Sequence, residues 1–127
     1  MQALKFFALS CLVVIVFDGV ASVASLALGF PYTYAAFGSA VFYIAFAFFA
    51  ARKFGFLAAV LFGFAMGITD ATLGWAVSWA IGPGRLAAGT LTLSAWLYTA
   101  TFVVVLGAIY GLVGGGIGAL TGRRRAA

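Results

Sequence analysis

Apolar residues fill four long segments of this chain, and short stretches of turn-forming or charged residues separate them. The segments cover about residues 4–28, 33–51, 54–81 and 90–120. At 1.5 Å of rise per residue, a helix of about 20 residues crosses the roughly 30 Å hydrocarbon core of a bilayer. The pattern therefore predicts an all-α membrane protein, a bundle of four transmembrane helices that forms a single domain over residues 1–127.

Turn and charge signals lie at the ends of these segments. Gly29 and Pro31 follow the first segment, and the charged pair Arg52 and Lys53 closes the second. The Gly-Pro-Gly sequence at 82–84 is a strong stop for the third helix, because proline cannot continue a helix and glycine favours its C-terminal cap. These boundaries leave only short connections between the spans.

The composition favours lipid as the solvent of the fold. Hydrophobic residues make up 66% of the chain and charged residues 7%, whereas charged residues make up about 25% of an ordinary soluble domain. Seven Lys and Arg residues with two acidic residues cannot cover a water-exposed surface, so a soluble fold would expose large apolar patches. The lipid bilayer is therefore the first expected partner.

The basic residues predict the orientation of the spans. Six of the seven fall on one side of a four-span protein, namely Lys5, Arg52, Lys53 and those at 123–125, and only Arg85 falls on the other. Because basic loops stay in the cytoplasm, we expect a multi-pass protein of the bacterial inner membrane with both termini cytoplasmic. The terminal arginines suit contact with anionic lipid, and no nucleic-acid partner is expected.

Two landmarks recur in the two halves of the chain. Asp18 is followed thirteen residues later by Pro31, and Asp70 is followed thirteen residues later by Pro83. Because the second half begins after two crossings, it enters the membrane in the same direction as the first. The landmarks therefore predict two tandem helical hairpins in a parallel repeat, with chance similarity of an apolar sequence as the alternative.

Asp18 and Asp70 are the only acidic residues, and each falls within a predicted span. An ionised aspartate at the centre of a membrane span costs roughly 2.5–3.5 kcal/mol on insertion scales. Both acids lie a little past the middle of their spans, at a depth that no basic residue shares. We expect the two carboxyl groups about 5 to 10 Å apart in the bundle interior, where like charges cannot both ionise without a counter-charge. Such a pair would hold one proton or small cation; alternatively, each acid is a separate hydrogen-bonding lock between helices.

Small residues recur at helical spacing on three spans and predict where helices approach closely. On the third span the stripe contains Asp70 together with Gly63, Gly67, Gly74 and Ser78. On the first span the stripe is Cys11, Asp18, Ser22 and Ser25. On the fourth span two adjacent glycine ridges are predicted as packing seams, within the chain or between subunits: Gly107, Gly111 and Gly115, and Gly114, Gly118 and Gly122.

Aromatic residues cluster near the membrane boundary opposite the basic residues. Interfacial rings of this kind usually anchor helices at the lipid headgroups. The alternative is an aromatic vestibule that attracts an organic cation through the ring faces. The predicted anchors are Tyr32, Tyr34, Trp75, Trp79 and Trp96.

Enzymatic chemistry has little support in this sequence. The chain has no histidine and no cluster of residues with metal-ligand spacing, so neither a cofactor nor a metal site is expected. Two classes of function remain. The first is a small transporter or channel subunit that uses Asp18 and Asp70 to bind or relay a proton or cation. The second is a structural or assembly subunit whose glycine ridges pack against a partner membrane protein or a second copy.

Overall fold

The fold is a bundle of four apolar helices, each long enough to cross a membrane. A computed structural model describes residues 1–85 and 92–123. The candidate spans in this part of the chain are Gln2–Leu28, Tyr32–Phe54, Phe56–Ile81 and Leu93–Gly122. The predicted all-α, four-span bundle is confirmed. The predicted start of the fourth span at residue 90, and two of the terminal arginines, lie outside the described residues.

Five α-helices, one 3₁₀ turn and one π-turn make up these spans. The first span is α1 (Gln2–Leu28), and the second is a 3₁₀ turn (Tyr32–Tyr34) that continues into α2 (Ala35–Phe54). The third span consists of α3, a π-turn and α4, and the fourth is α5. Their bounds are α3 Phe56–Thr69, π-turn Asp70–Gly74, α4 Trp75–Ile81 and α5 Leu93–Arg123.

Glycines with positive φ end the first and third spans at the predicted boundaries. Gly29 takes the left-handed conformation with φ 71°, and its N–H donates to Ser25 O, so it caps the C-terminus of α1. Gly82 has φ 133° and donates to Ser78 O at the end of α4. A side chain with a Cβ atom rarely adopts such backbone angles. Both helices therefore stop where the sequence places glycine.

The helices pack unequally around the third span. α5 packs extensively against both α2 and α3, which also contact each other. α1 lies on the other side and contacts mainly the third span, with fewer contacts to the second. A parallel repeat makes the first span equivalent to the third and the second equivalent to the fourth. In such a repeat the fourth span would pack against the first as closely as the second packs against the third. The interpretation as a parallel repeat is therefore wrong at the level of packing, although the first and third spans do meet as predicted.

The glycine ridges of α5 are packing seams within the chain. A Cβ atom placed on Gly111 would lie 3.2 Å from the Gly63 Cα atom, and one placed on Gly107 would lie 3.0 Å from the Gly67 Cα atom. The second ridge faces α2 instead, where a Cβ atom on Gly114 would lie 3.0 Å from the Ala47 side chain. Backbones this close are possible only without side chains. Both ridges are thus occupied by the protein's own helices, except at Gly122, where a Cβ atom would meet nothing within 4 Å.

The end of the bundle that carries Lys5 and Arg52, here called the basic end, is closed by aromatic packing. The Phe6 ring lies 5.6 Å from the Phe46 ring and 6.0 Å from the Phe62 ring, measured between centroids. The Lys53 ammonium lies 5.6 Å from the Phe6 ring centroid, a cation–π distance. These contacts join the first three spans where they approach the membrane boundary.

Candidate functional site: a pair of buried carboxyl groups

Asp18 of α1 and Asp70 of the third span face each other inside the bundle. Asp18 is only 3% exposed, and Asp70 is half-buried. Asp18 Oδ2 and Asp70 Oδ1 converge on the same point beside Gly74. The prediction that the two acids are neighbours in the bundle interior is confirmed.

Gly74 provides the space in which the two carboxyl groups meet. It lies one helical turn after Asp70, on the same face. A Cβ atom placed there would overlap Asp18 Oδ2 and lie 3.0 Å from Asp70 Oδ1. Gly74 was predicted as a contact between helix backbones, but its missing side chain accommodates the carboxyl pair instead. The other two predicted glycines of this span, Gly63 and Gly67, do contact the backbone of α5.

Each carboxyl group accepts a hydrogen bond from a tyrosine of the second span. The Tyr43 hydroxyl donates to Asp70 Oδ2 at 2.7 Å and also lies 3.3 Å from Met66 O. The Tyr32 hydroxyl donates to Asp18 Oδ1 at 3.3 Å. Tyr32 was predicted as an interface anchor, but its hydroxyl points inward to the acid because the 3₁₀ turn brings the ring back over the end of α1.

Two buried oxygens at the site have no hydrogen-bond partner within residues 1–85 and 92–123. They are Asp18 Oδ2 and Ser22 Oγ. Ser22 is fully buried and lies one turn along α1 from Asp18. The Tyr32 hydroxyl lies near Ser22 and Ser78, but its hydrogen bond goes to Asp18 Oδ1. Leaving a buried polar group unpaired costs about 1–3 kcal/mol, so these oxygens indicate a place for a further donor or a cation.

A π-turn begins at Asp70 and ends at Gly74. The glycine that ends the third span lies one residue farther from Asp70 than the glycine that ends the first span lies from Asp18. A π-turn accommodates one additional residue of this kind. Two threonines return hydrogen bonds to the helix backbone here, from Thr69 Oγ1 to Ala65 O at 3.0 Å and from Thr72 Oγ1 to Ile68 O at 2.7 Å. Such bonds favour local bending, and π-turns are frequent at functional sites.

A cavity of about 340 Å³ leads from the end opposite the basic end to Asp70. It lies between the start of the second span, the third span and α5. Asp70 is in its wall, whereas Asp18 lies behind that wall and does not line it. The lining residues that also surround the acids are Tyr32, Asp70 and Ser78, and those near the mouth include Trp75, Gly84 and Arg85.

A packed layer separates the acids from the basic end. Val14, Tyr43 and Met66 form one buried cluster, with exposures of 1%, 2% and 0%. The Tyr43 ring belongs to this layer while its hydroxyl reaches Asp70. Among the described residues, the cavity therefore reaches Asp70 from one end of the bundle, and the packed cluster lies on the other side of the acids.

The remaining predicted anchors lie around the mouth of the cavity or beside it. Trp75 stacks on Trp96 with ring centroids 6.4 Å apart, and its Nε1–H donates to Gly84 O at 3.1 Å. Trp79 shares a shallow surface pocket with these two rings. Tyr34 is 60% exposed. This placement at the end opposite the basic end is compatible with headgroup anchoring, which stays a prediction.

Sequence reasoning missed the roles of Tyr43 and Ser22. Ser22 belongs to the polar stripe that contains Asp18, so its helical spacing was a usable signal. Tyr43 had no such signal, because it is one of many aromatic residues in the second span. Only the packing of α2 against the third span brings its hydroxyl to Asp70.

Among the described residues, no group of three or more His, Cys, Asp or Glu side chains is arranged to hold a metal ion. A search of protein-family models, curated proteins and solved structures finds no match to this chain.

Proposed function

We propose that this protein is a small transporter or channel subunit of the bacterial inner membrane in which Asp18 and Asp70 bind or relay a proton or a cation. The observation that supports this most directly is the contact between two carboxyl groups inside the bundle. Two ionised carboxylates in contact repel each other strongly where the dielectric constant is low. The pair is therefore stable only with a proton or cation between its oxygens.

The access to the site favours a transporter over a channel. Asp70 lines a cavity that opens at one end, and the layer of Val14, Tyr43 and Met66 closes the other side. A transporter exposes its site to one side of the membrane at a time, whereas a conducting channel needs a path to both sides. The π-turn at Asp70 offers a position at which the third span can bend between two such states.

Substitution of each aspartate by asparagine tests this proposal. Asparagine keeps the shape and hydrogen bonding of the side chain but cannot titrate or carry charge. The purified protein is reconstituted into liposomes that contain a pH-sensitive dye, and a proton gradient is imposed. We expect the gradient to decay at least about tenfold more slowly with Asp18→Asn or Asp70→Asn than with the unmodified protein, a change equal to about 1.4 kcal/mol in the barrier.

Ser10→Ala is the matched control for this experiment. Ser10 is a fully buried polar residue of the same helix, and its hydroxyl donates to Phe7 O at 2.7 Å within α1. Its substitution should leave the decay of the gradient unchanged. Decay no faster than in protein-free liposomes, or equal decay for the unmodified protein and both asparagine variants, would refute the proposal and favour an assembly subunit.

A further inference from the structure

We infer that the oxygen atoms around Asp18 form a binding site for a sodium-sized alkali cation, which exchanges with the proton held between Asp18 and Asp70. This inference rests on the proposed function, because it names the cation that the carboxyl pair would bind. It adds Ser22 and Tyr32 to the site as oxygen donors that proton transfer alone would not require.

The two unpaired oxygens are the starting point. Asp18 Oδ2 and Ser22 Oγ have no hydrogen-bond partner among the described residues, and their residues are 3% and 0% exposed. A proton shared with Asp70 would satisfy the carboxyl oxygen but would leave the serine oxygen unpaired. A cation that contacts both oxygens would satisfy them together.

The donor set fits a hard, small cation. The side chains that converge on this point offer only oxygen atoms, and oxygen is the ligand that alkali and alkaline-earth ions prefer. Carboxylate oxygens present a strong local field, which favours a small ion such as Na⁺ over the larger K⁺. The oxygen donors belong to Asp18, Ser22, Tyr32, Asp70 and Ser78.

The charge of the site favours a monovalent ion. With one shared proton the carboxyl pair carries a single negative charge, and the same charge remains when Na⁺ replaces that proton. The exchange is balanced, because one Na⁺ enters as one H⁺ leaves for water. The hydroxyls of Tyr32 and Tyr43 donate to the two carboxyl groups and stabilise the remaining charge in both states.

The cavity provides the route by which the cation arrives. Its volume of about 340 Å³ is well above the roughly 10–15 Å³ that one water needs on the same measure, so it has room for an ion together with waters. Tyr32, Asp70 and Ser78 belong both to the cavity wall and to the oxygen cluster. The ion therefore meets its first protein ligands before it loses its last waters.

Several titratable or charged groups face this site from the elements around it. Tyr32 and Tyr43 come from the second span, and Cys11 lies near the Tyr43 hydroxyl from α1. From α5 the Tyr110 ring packs 6.0 Å from the Tyr43 ring, and Arg85 lies exposed at the cavity mouth. None of these supplies a positive charge between the two carboxyl groups. Proton and Na⁺ therefore compete directly, and binding of Na⁺ should weaken as the pH falls.

Thermal unfolding of the purified protein in detergent tests the inference. Sodium chloride is added in place of choline chloride at constant ionic strength, and unfolding is followed by tryptophan fluorescence. A ligand that binds only the folded state raises Tm in a saturable manner. We expect a saturable increase with Na⁺, a smaller one with K⁺, and a weaker response to Na⁺ at lower pH. In a weakly buffered solution, added Na⁺ should release about one proton per protein molecule, as the exchange requires.

Two serine variants distinguish a site from a general effect of salt. Ser22→Ala should weaken the apparent affinity for Na⁺ by at least about tenfold, the loss expected for one contact to a charged group. Ser25→Ala is the matched control, because Ser25 lies nearly one turn further along α1 and donates to Phe30 O at 2.7 Å. Its response to Na⁺ should equal that of the unmodified protein. Neither serine variant removes a carboxyl group, so the sodium site can still be tested if Asp18→Asn fails to fold.

The outcomes separate this inference from the proposed function. No difference between sodium and choline, equal effects of Na⁺ and K⁺ on the unmodified protein, equal affinity for Na⁺ in Ser22→Ala and Ser25→Ala, or stabilisation by Ca²⁺ at lower concentrations than Na⁺ would each overturn the sodium site. If proton flux still depends on both aspartates in those cases, the proposed function stands without it. If the proton flux is also unchanged when either aspartate is substituted, both the sodium site and the proposed function are refuted.

Discussion

At the scale of single residues, the main feature is how two acids are tolerated inside an apolar bundle. The cost of burying a carboxyl group is offset when it is hydrogen-bonded and its charge is shared or neutralised. Here each acid accepts a tyrosine hydroxyl, and the two acids contact each other above a glycine. The arrangement depends on Gly74 because no other residue type leaves room for both side chains.

Gly74→Ala is therefore expected to separate the carboxyl groups. The new methyl group would overlap Asp18 Oδ2, and inserting a methyl group into a filled site typically costs about 1–3 kcal/mol. We expect a loss of this size in the free energy of unfolding, measured by titration with a denaturing detergent in mixed micelles, together with slower proton flux.

Gly116→Ala is the control for this substitution. Gly116 is also a helical glycine, but a Cβ atom placed on it meets nothing within 4 Å. Its stability should be unchanged or slightly higher, since alanine is the better helix former. Equal stability and flux in the two alanine variants would show that the carboxyl groups can be displaced without cost.

At the scale of elements, the third span connects the site to the fold. Its part nearer the basic end, α3, is fixed against α5 by backbone contacts. Its part nearer the opposite end begins with the π-turn that carries Asp70. α1 contacts the π-turn and α4 rather than α5. The carboxyl pair thus lies between a tightly packed unit of three spans and a first span with fewer contacts.

Gly111→Leu tests the seam that holds this unit together. A Cβ atom at this position would already lie 3.1 Å from Ala59 O and 3.2 Å from Gly63 Cα, so a leucine would force α5 away from α3. We expect unfolding or aggregation of the detergent-solubilised protein, or a loss of stability of about 3 kcal/mol or more. The measurements are size-exclusion chromatography and thermal unfolding.

Gly116→Leu supplies the comparison on the same helix, because its surroundings are open. This variant should elute and unfold like the unmodified protein. An unchanged species with unchanged thermal stability for Gly111→Leu would mean that α5 does not pack on α3 through this ridge.

At the scale of the whole molecule, the two ends of the bundle differ in charge and in access. The basic end carries Lys5, Arg52 and Lys53 and is closed by phenylalanine packing. The opposite end carries the stacked tryptophans and the cavity mouth. From the positive-inside rule we expect the basic end in the cytoplasm, an orientation in which the cavity opens to the outside.

Reporter fusions test this orientation. A reporter at Ala127 and another in the loop that follows Arg85 should report opposite sides of the membrane, with the C-terminal reporter in the cytoplasm. The physical reason is the six-to-one distribution of basic residues between the two sides. A fusion inserted after Arg52 is the control and should agree with the one at Ala127. A C-terminal reporter outside the cytoplasm would reverse the orientation and make the cavity cytoplasmic.

The number of spans, their ends and the burial of both acids could be predicted from the sequence. These properties are local, because they depend on the length of apolar segments and on glycine and proline at particular positions. The same reasoning predicted that a neighbouring helix approaches Gly63 and Gly67 closely, since small residues at helical spacing allow it, and the structure shows that this helix is α5. It failed for the parallel repeat, because Asp18 and Asp70 share a spacing to proline while their spans pack against different neighbours.

The sequence by itself determined that the solvent is lipid, that four helices form and that two acids need partners inside them. Only the tertiary structure decided that these partners are each other, Tyr32 and Tyr43. The physical reason is that hydropathy and helical periodicity fix which face of a helix avoids lipid but not which helix meets that face. The contact of Asp18 with Asp70 depends on the π-turn and on Gly74, whose effects appear only when the first and third spans are packed together.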